Sequence, residues 1–243
     1  MKKGLITLLM VCAAVSAFAV DLPKQGFGFQ IGWAQPTLRV NDGATKDTLN
    51  HNLKFHGFKV GLVYDASYIA GFGSTIGLNY TFGAYNGSWK KTTMYNYPRE
   101  RQFITYNELE IFVDWQYKFE IAKETYLMLY TGPTLQCGLA LNWRKDIKTE
   151  DIYTGKVTTE IGERTNAYKI DEDSPLRDNA FRRINITWGV GAGFQYQRYF
   201  IRGGYDFGLM VPYKNQDFST GYHARGRLDQ WTVKIGMYFW QND

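Results

Sequence analysis

The chain has 243 residues, a formal net charge of +5, an aromatic content of 17% and a mean hydropathy of −0.36. No apolar run after Ala19 reaches the roughly 18 residues that a membrane-spanning helix needs, so the sequence excludes a helical membrane protein. The positive charge is mild and does not argue for nucleic-acid binding.

The first 19 residues have the three parts of a secretory signal peptide. Lys2 and Lys3 form a basic start, residues 4–14 are an apolar run, and Ala17-Phe18-Ala19 is a small-x-small cleavage site. We therefore expect residues 1–19 to be cleaved and residues 20–243 to form one mature domain. Loss of the two lysines would lower the formal charge from +5 to +3.

Eight later segments alternate apolar and polar residues with period two, which is typical of strands with one apolar face. The apolar residues occupy every second position over 27–33, 58–64, 76–82, 109–117, 135–143, 184–194, 201–209 and 231–239. Segments of this length suit the roughly 9–11 residues of a tilted membrane strand.

The connections between the segments alternate between short and long. Short links lie near 66–71, 120–124 and 198–199, and long polar links cover 40–53, 86–102, 144–180 and 211–227. This layout predicts an all-β fold, an eight-stranded antiparallel up-and-down transmembrane β-barrel with periplasmic turns and extracellular loops. Within the longest link, residues 152–154 and 157–159 flank Gly155-Lys156, which indicates a hairpin beyond the membrane.

A soluble eight-stranded barrel would alternate too, with its apolar face turned inward around a ligand. The membrane interpretation is favoured because none of the apolar rows contains a charged residue. Tryptophan and tyrosine also cluster toward the segment ends, as interfacial girdles do. These girdle residues are Trp33, Tyr64, Trp115, Tyr117, Trp143, Tyr196 and Trp231.

The chain resembles the small outer-membrane β-barrel proteins of the Bacteroidetes, the PorT-like or "outer membrane protein beta-barrel domain" group. It is more distantly similar to the eight-stranded OmpX and OmpA transmembrane domains. The resemblance rests on the signal peptide, the aromatic-rich segments and the final segment, Gln230 to Trp240, which ends in an aromatic pair. It implies a bacterial outer-membrane location and insertion by the barrel-assembly machinery, and it carries no catalytic residue with it.

Charged residues inside the segments fall on the polar rows, which we expect to face the lumen. An eight-stranded barrel is filled by side chains, so buried charges there must be paired. Lys234 is expected near Asp206 on the neighbouring strand, and Arg202 has Asp114 as a possible partner across the lumen. The predicted lumen charge network consists of Lys59, Glu108, Glu110, Asp114, Lys118, Arg183, Arg202, Asp206 and Lys234. We interpret it as a plug in preference to an ion path.

Enzymatic and metal-dependent functions have little support in the sequence. The three histidines, His51, His56 and His223, lie in links, and one mature cysteine, Cys137, gives no metal-ligand spacing. We therefore expect no enzyme, cofactor or metal.

The expected role is structural support, surface recognition or service to a larger outer-membrane complex. Expected partners are membrane lipid and a protein bound through the long loops, with the barrel itself a monomer. Two alternatives stay open: a narrow pore for small solutes or ions, and a soluble periplasmic ligand-binding barrel.

Overall fold

The computed structural model describes residues 25–42, 53–69, 71–91, 98–151, 153–168, 181–212 and 224–242. The signal peptide expected for residues 1–19, and with it the predicted cleavage site, lies outside these ranges. A search of the same ranges for a helix long and apolar enough to cross a membrane finds none.

Antiparallel strands make up most of the described chain. They are β1 (Gln25–Asp42), β2 (Leu53–Lys54), β3 (His56–Ile69), β4 (Phe72–Asn86), β5 (Lys90–Lys91), β6 (Arg99–Ala122), β7 (Thr125–Glu150), β8 (Val157–Ile161), β9 (Thr165–Asn166), β10 (Ile184–Tyr196), β11 (Tyr199–Gly208) and β12 (Ala224–Asn242). Eight of them form a ring in the order β6–β4–β3–β1–β12–β11–β10–β7, and β7 pairs with β6 to close it. The eight-stranded antiparallel up-and-down barrel is thus confirmed.

The register shows how strongly the strands tilt against the barrel axis. One row of paired residues starts at Met128 on β7, crosses all eight ring strands and returns to β7 at Gly138, ten residues farther on. A shear of ten residues over eight strands corresponds to a tilt of about 40° and a rise of about 2.5 Å along the axis per residue.

The outer face of the ring is an apolar belt. The side chains that the period-two pattern places outward are exposed, among them Phe29, Ile31, Val60, Leu62, Ile76, Leu78, Ile111, Leu129, Leu135, Val190, Ile201, Val233 and Ile235. Trp33 and Trp231 lie at the end of the belt nearer the long loops, and they are 42% and 54% exposed. A continuous exposed belt of this kind is the outer surface of a transmembrane barrel.

Two residues that the sequence pattern places on the outer face of the barrel lie inside it. Leu141 and Trp143 were expected to continue the outward row of segment 135–143. The ladder between β6 and β7 shifts register below them and leaves Leu139 as an extra residue on β7. One extra residue reverses the facing of every side chain beyond it. Leu141 and Trp143 therefore pack against an apolar cluster inside the long-loop end.

Two apolar clusters lie inside the barrel, one toward each end. The cluster at the long-loop end contains Leu38, Phe55, Ile104, Tyr106, Ala167 and Phe181. The cluster nearer the short turns contains Val63, Phe112, Met128, Phe200 and Tyr238. Inward aromatics of both clusters lie over glycines of other strands, so that a Cβ on Gly83 would come within 2.0 Å of Tyr106 and one on Gly236 within 2.2 Å of Phe200.

β6 and β7 continue past the belt at the long-loop end and carry the predicted hairpin. β7 pairs with β8 from Asp146–Ile161 to Glu150–Val157, and Gly155 occupies the turn with φ +65°. Residues 153 and 154, which were expected in a flanking strand, lie in this turn, while Ile152 lies outside the described residues. β5 and β9 extend the same outer sheet along β6 and β7.

The ring closes at a seam between the first and last described strands. β1 and β12 pair from Gln25–Asn242 to Asp42–Ala224, with one register shift beside Phe27.

At the short-turn end, the β6–β7 and β10–β11 turns are connected, because the Gln197 side-chain amide donates to the Glu124 carboxylate at 2.8 Å.

The polar interior as the candidate functional site

The inward rows of the ring strands bring most of the predicted charge network together. Lys59, Glu108, Glu110, Asp114, Lys118, Arg202 and Lys234 are buried inside the barrel, and Asp206 is partly buried there. Successive side chains of a strand face opposite sides, so residues at every second position share one face. Once the register of the strands is set, these charged residues therefore all point inward.

Glu110 is the hub of the first group of interior contacts. The Lys59 ammonium donates to both of its carboxylate oxygens, at 2.8 Å to Oε1 and 2.6 Å to Oε2. Amide groups supply the remaining donors: Gln230 at 3.1 Å, Asn79 at 3.3 Å and Gln136 at 3.5 Å. A carboxylate with this many donors keeps its charge out of water without leaving it unpaired.

Asp65 is the hub of a second group, nearer the short turns. It accepts hydrogen bonds from the Lys118 ammonium and the Gln116 side-chain amide. The Tyr238 hydroxyl also donates to Asp65 Oδ2 at 3.0 Å. The Lys118 ammonium lies 5.8 Å from the centre of the Tyr238 ring, which adds a cation–π contact to the ion pair.

Arg202 connects this second group to the rest of the interior. Its guanidinium donates to Gln116 Oε1 and to Thr75 Oγ1, each at 2.8 Å, and its Nη1 lies 3.8 Å from Asp114 Oδ2. The Tyr130 ring centre lies 5.5 Å from the guanidinium carbon. Arg202 is fully buried, and it is held by polar oxygens together with aromatic faces.

Lys234 and Asp206 lie near enough for their charges to interact, as expected, but their direct contacts are with other residues. In the ladder Lys234 lies opposite Arg202, and Asp206 lies opposite Gln230. The Lys234 ammonium is 4.8 Å from the centre of the Phe112 ring. Asp206 accepts a hydrogen bond from the Gln230 amide at 3.4 Å.

Some of these contacts span the full width of the lumen. Gln230 on β12 bonds Glu110 on β6, and Arg202 on β11 bonds Thr75 on β4. In the ring order, β12 lies four places from β6 and β11 lies four places from β4, so each pair of strands is diametrically opposite. Side chains therefore meet across the barrel axis.

Arg183 lies apart from these contacts, at the long-loop mouth of the barrel, where it lines an interior cavity together with Glu108. It directly precedes β10, which begins at Ile184, and its backbone carbonyl accepts from the Gly138 N–H on β7 at 2.6 Å. Its side chain is exposed, donates to the Gly138 and Leu139 carbonyls at 3.4 and 3.3 Å, and lies 5.1 Å from the Tyr168 ring centre.

A small cavity of about 60 Å³ lies at the long-loop mouth. Its walls include Leu38, Phe55 and Tyr168, and Glu108 lies at its polar side. Glu108 is only 5% exposed. This cavity is large enough for small molecules of the size of water and too small for an organic ligand.

The predicted charge network contains none of the amides that connect the charges. Gln30, Asn79, Gln116 and Gln136 lay on the inward rows of the pattern, and Gln230 lies two residues before the inward Thr232. Their inward positions were the available signal, because an amide in a filled lumen needs partners as a charge does.

The structure offers no support for a metal site within its described residues, where no group of three or more His, Cys, Asp or Glu is gathered. His56 is exposed and lies 6.1 Å from the Trp33 ring. His51 and His223 lie outside the described residues.

No protein-family model matches the chain, and a search of curated proteins finds no relative. Solved structures do resemble the fold. Ail of Yersinia pestis, solved with the heparin analogue sucrose octasulfate, has 12% identity and a TM-score of 0.38 over 89% of this chain and 99% of its own. Neisserial surface protein A has 12% identity and a TM-score of 0.41 over 88% and 97%.

The translocator domain of the autotransporter NalP from Neisseria meningitidis also matches, with 12% identity and a TM-score of 0.26 over 97% of this chain and 96% of its own. At this level of likeness these structures carry no information on what this chain binds.

Proposed function

We propose that this protein is a non-enzymatic barrel of the bacterial outer membrane with a closed lumen. The apolar belt supports the membrane location, because a soluble barrel with so many exposed large hydrophobic side chains would aggregate. The same observation disfavours the soluble ligand-binding alternative, in which the apolar rows would line the inside.

The observation that carries the closed lumen is the pair of contacts between opposite strands, Gln230 with Glu110 and Arg202 with Thr75. A solute path would have to break these hydrogen bonds together with the Lys59–Glu110 ion pair. Unpairing buried charges is costly, so the resting protein is a plug and not a narrow pore.

Planar-bilayer recordings test this closed state directly. We expect the purified protein to insert without a stable single-channel conductance. A large, steady conductance from the unaltered protein would refute the plug. As a control for insertion, the variant K59M/E110Q/R202A/Q230A removes both contacts between opposite strands together with the Lys59–Glu110 ion pair, and we expect it to conduct.

The long-loop end is the surface that we propose for recognition. The hairpin of β7 and β8 projects beyond the belt, and Tyr153 in its turn is 98% exposed. Exposed aromatics on a projecting element suit a protein partner, either a surface ligand or a larger outer-membrane complex. A PorT-like membership and insertion by the barrel-assembly machinery after export belong to the same proposal.

A detergent pull-down from native outer membrane tests the recognition role. We expect a specific partner that is recovered with the full chain and lost when residues 151–156 are replaced by a short glycine turn. Recovery of the barrel alone, as a monomer, would leave structural support of the membrane as its role and refute recognition through the hairpin.

A further inference from the structure

Two arginines on the outer wall form a fixed cationic site just beyond the apolar belt. Arg39 on β1 and Arg227 on β12 face each other in the seam ladder, and each Nε lies 2.9 Å from Asp229 Oδ2. Asp229 is completely buried, while the two arginine side chains are 46% and 47% exposed. Three residues with two positive charges and one negative charge leave a net charge of +1 at this place.

The buried carboxylate is fully occupied and holds the site rigid. Besides the arginines, Asp229 accepts from the Tyr205 hydroxyl at 2.8 Å and from the Gly208 backbone N–H at 3.1 Å. The Tyr205 hydroxyl in turn accepts from the Arg39 terminal nitrogen at 3.2 Å. Both arginines bind Asp229 through Nε and Arg39 gives one further N–H to Tyr205, so their remaining terminal N–H groups can donate to a second anion.

The site lies where a lipid headgroup would be. Trp231 ends the apolar row of β12, and Asp229 and Arg227 lie two and four residues earlier in the chain, on the same outward face and farther toward the long loops. At about 2.5 Å of axial rise per residue, the arginine backbone is about 10 Å beyond the last belt residue. Tyr205 packs on Trp231 with ring centres 4.7 Å apart, so the belt and the arginines are one continuous surface.

The opposite rim lacks a comparable excess of positive charge. Among the described residues, the exposed charges around the short turns are Glu120, Lys123, Glu124 and Arg198, two of each sign. The cationic wall site therefore belongs to the long-loop side of the membrane.

We propose that Arg39 and Arg227 bind the phosphate of a lipid headgroup in the leaflet at the long-loop rim. Two preoriented guanidinium groups suit the tetrahedral oxygens of a phosphate, which accept paired N–H donors. The aromatic surface below them is available to the acyl chains of the same lipid. This assignment rests on the proposed membrane location and adds a specific ligand to it.

The barrel contains a matched control for this site. Arg101 and Arg144 hold the buried Asp146 in the same Arg–Asp–Arg arrangement, at 2.8 and 2.9 Å. This second triplet is on β6 and β7, four places around the ring. Arg101 is eight residues beyond the belt residue Leu109, about 20 Å along the axis, which is too far for a phosphate at the membrane surface.

Native mass spectrometry of the protein in a neutral maltoside detergent, titrated with short-chain phosphatidic acid, tests the proposal. We expect saturable binding to the unaltered protein that weakens about tenfold or more in R39Q/D229N/R227Q, because charge-assisted hydrogen bonds are lost. The variant R101Q/D146N/R144Q should bind within twofold of the unaltered protein. Asparagine at 229 avoids leaving an unpaired buried charge, and circular dichroism checks that both variants fold.

Three outcomes would overturn the proposal. Equal binding by the first variant and the unaltered protein would refute the site, and an equal loss in both variants would mean unspecific charge attraction. If inorganic phosphate in place of the lipid gives the same binding, the ligand is a free phosphate and not a headgroup. Failure of the unaltered protein to insert into preformed vesicles would instead refute the membrane location itself.

Discussion

Lys59 on β3 and Glu110 on β6 form an ion pair inside the barrel, with Nζ 2.6 Å from Oε2 and both side chains at most 2% exposed. The pair links two strands that are not neighbours, since β4 lies between them in the ring. It therefore connects two non-adjacent strands through the inside of the barrel, in addition to the backbone hydrogen bonds between neighbouring strands.

Removing one partner of this pair leaves a charge buried without compensation. We expect K59M and E110Q each to lower the free energy of unfolding by about 3–5 kcal/mol, measured by urea unfolding in lipid vesicles. The double variant K59M/E110Q should be less destabilised than the sum of the single variants, because no unpaired ammonium or carboxylate remains. Additive losses would show that the two side chains are not coupled.

The inward glycines are expected to be intolerant of any side chain where an aromatic ring lies over them. A Cβ on Gly191 would come within 2.3 Å of the Tyr130 ring, whereas a Cβ on Gly203, on the next strand, meets only the Thr232 carbonyl at 3.9 Å. We expect G191A to cost about 1–3 kcal/mol by overpacking and G203A to be close to neutral. The urea midpoints of the two variants measure this, and equal midpoints would contradict the inward and outward assignment.

The outer hairpin should loosen in acid. Burial alone would raise the pKa of Asp146, but hydrogen bonds and charges from Arg101 and Arg144 outweigh it and hold the pKa below its usual range. A lowered folded pKa gives stability that is complete above the unfolded value of about 3.9 and is lost as the pH falls through the lower folded value.

Amide hydrogen exchange of residues 144–150 and 157–161 measures this loosening. We expect constant protection from neutral pH down to about 4, and a loss of protection below it. The variant D146N should start with lower protection and show a weaker acid dependence. An unchanged acid dependence in D146N would contradict the role of Asp146.

The reactivity of the Cys137 thiol shows which face of β7 contacts lipid. It lies on the outward row between Leu135 and Leu139, which are 44% and 47% exposed, and its thiol is free. In vesicles we expect labelling by an apolar maleimide and protection from a charged, impermeant one. The variant C137A/Q136C moves the thiol to the buried inward face, where neither reagent should react; reaction with both would refute the filled lumen.

The strands could be predicted from the sequence because the alternation is continuous and one face is free of charge. The limits lie at local irregularities. A bulge at Leu139 carries no composition signal, so Trp143 was expected on the outside although it faces the interior cluster. Arg183 is expected in the charge network but contacts backbone carbonyls at the mouth, because nothing in the residue pattern marks Ile184 as the first residue of β10.

The interior partners were harder to predict than the interior positions. The period-two pattern predicts which side chains face the lumen. Their contact partners depend on the shear of the barrel, because the shear decides which residues of opposite strands lie at the same height. Lys234 and Asp206 are on neighbouring strands, yet they are four pairs apart in the ladder, which leaves Lys234 opposite Arg202. The Glu110–Gln230 contact joins residues 120 positions apart, and no local pattern encodes it.

The seam between β1 and β12 has a consequence for the order of assembly. Gln25 pairs with Asn242, so the closing contacts join the two ends of the described chain and cannot form before the last strand has emerged. Until then β1 and β11 each present an unpaired edge, which is a template for wrong pairing with other chains. Closure of so long a loop is also slow. Before closure the protein is therefore an open sheet that can associate with other chains. Closure depends on the pairing of the 19 residues of β12.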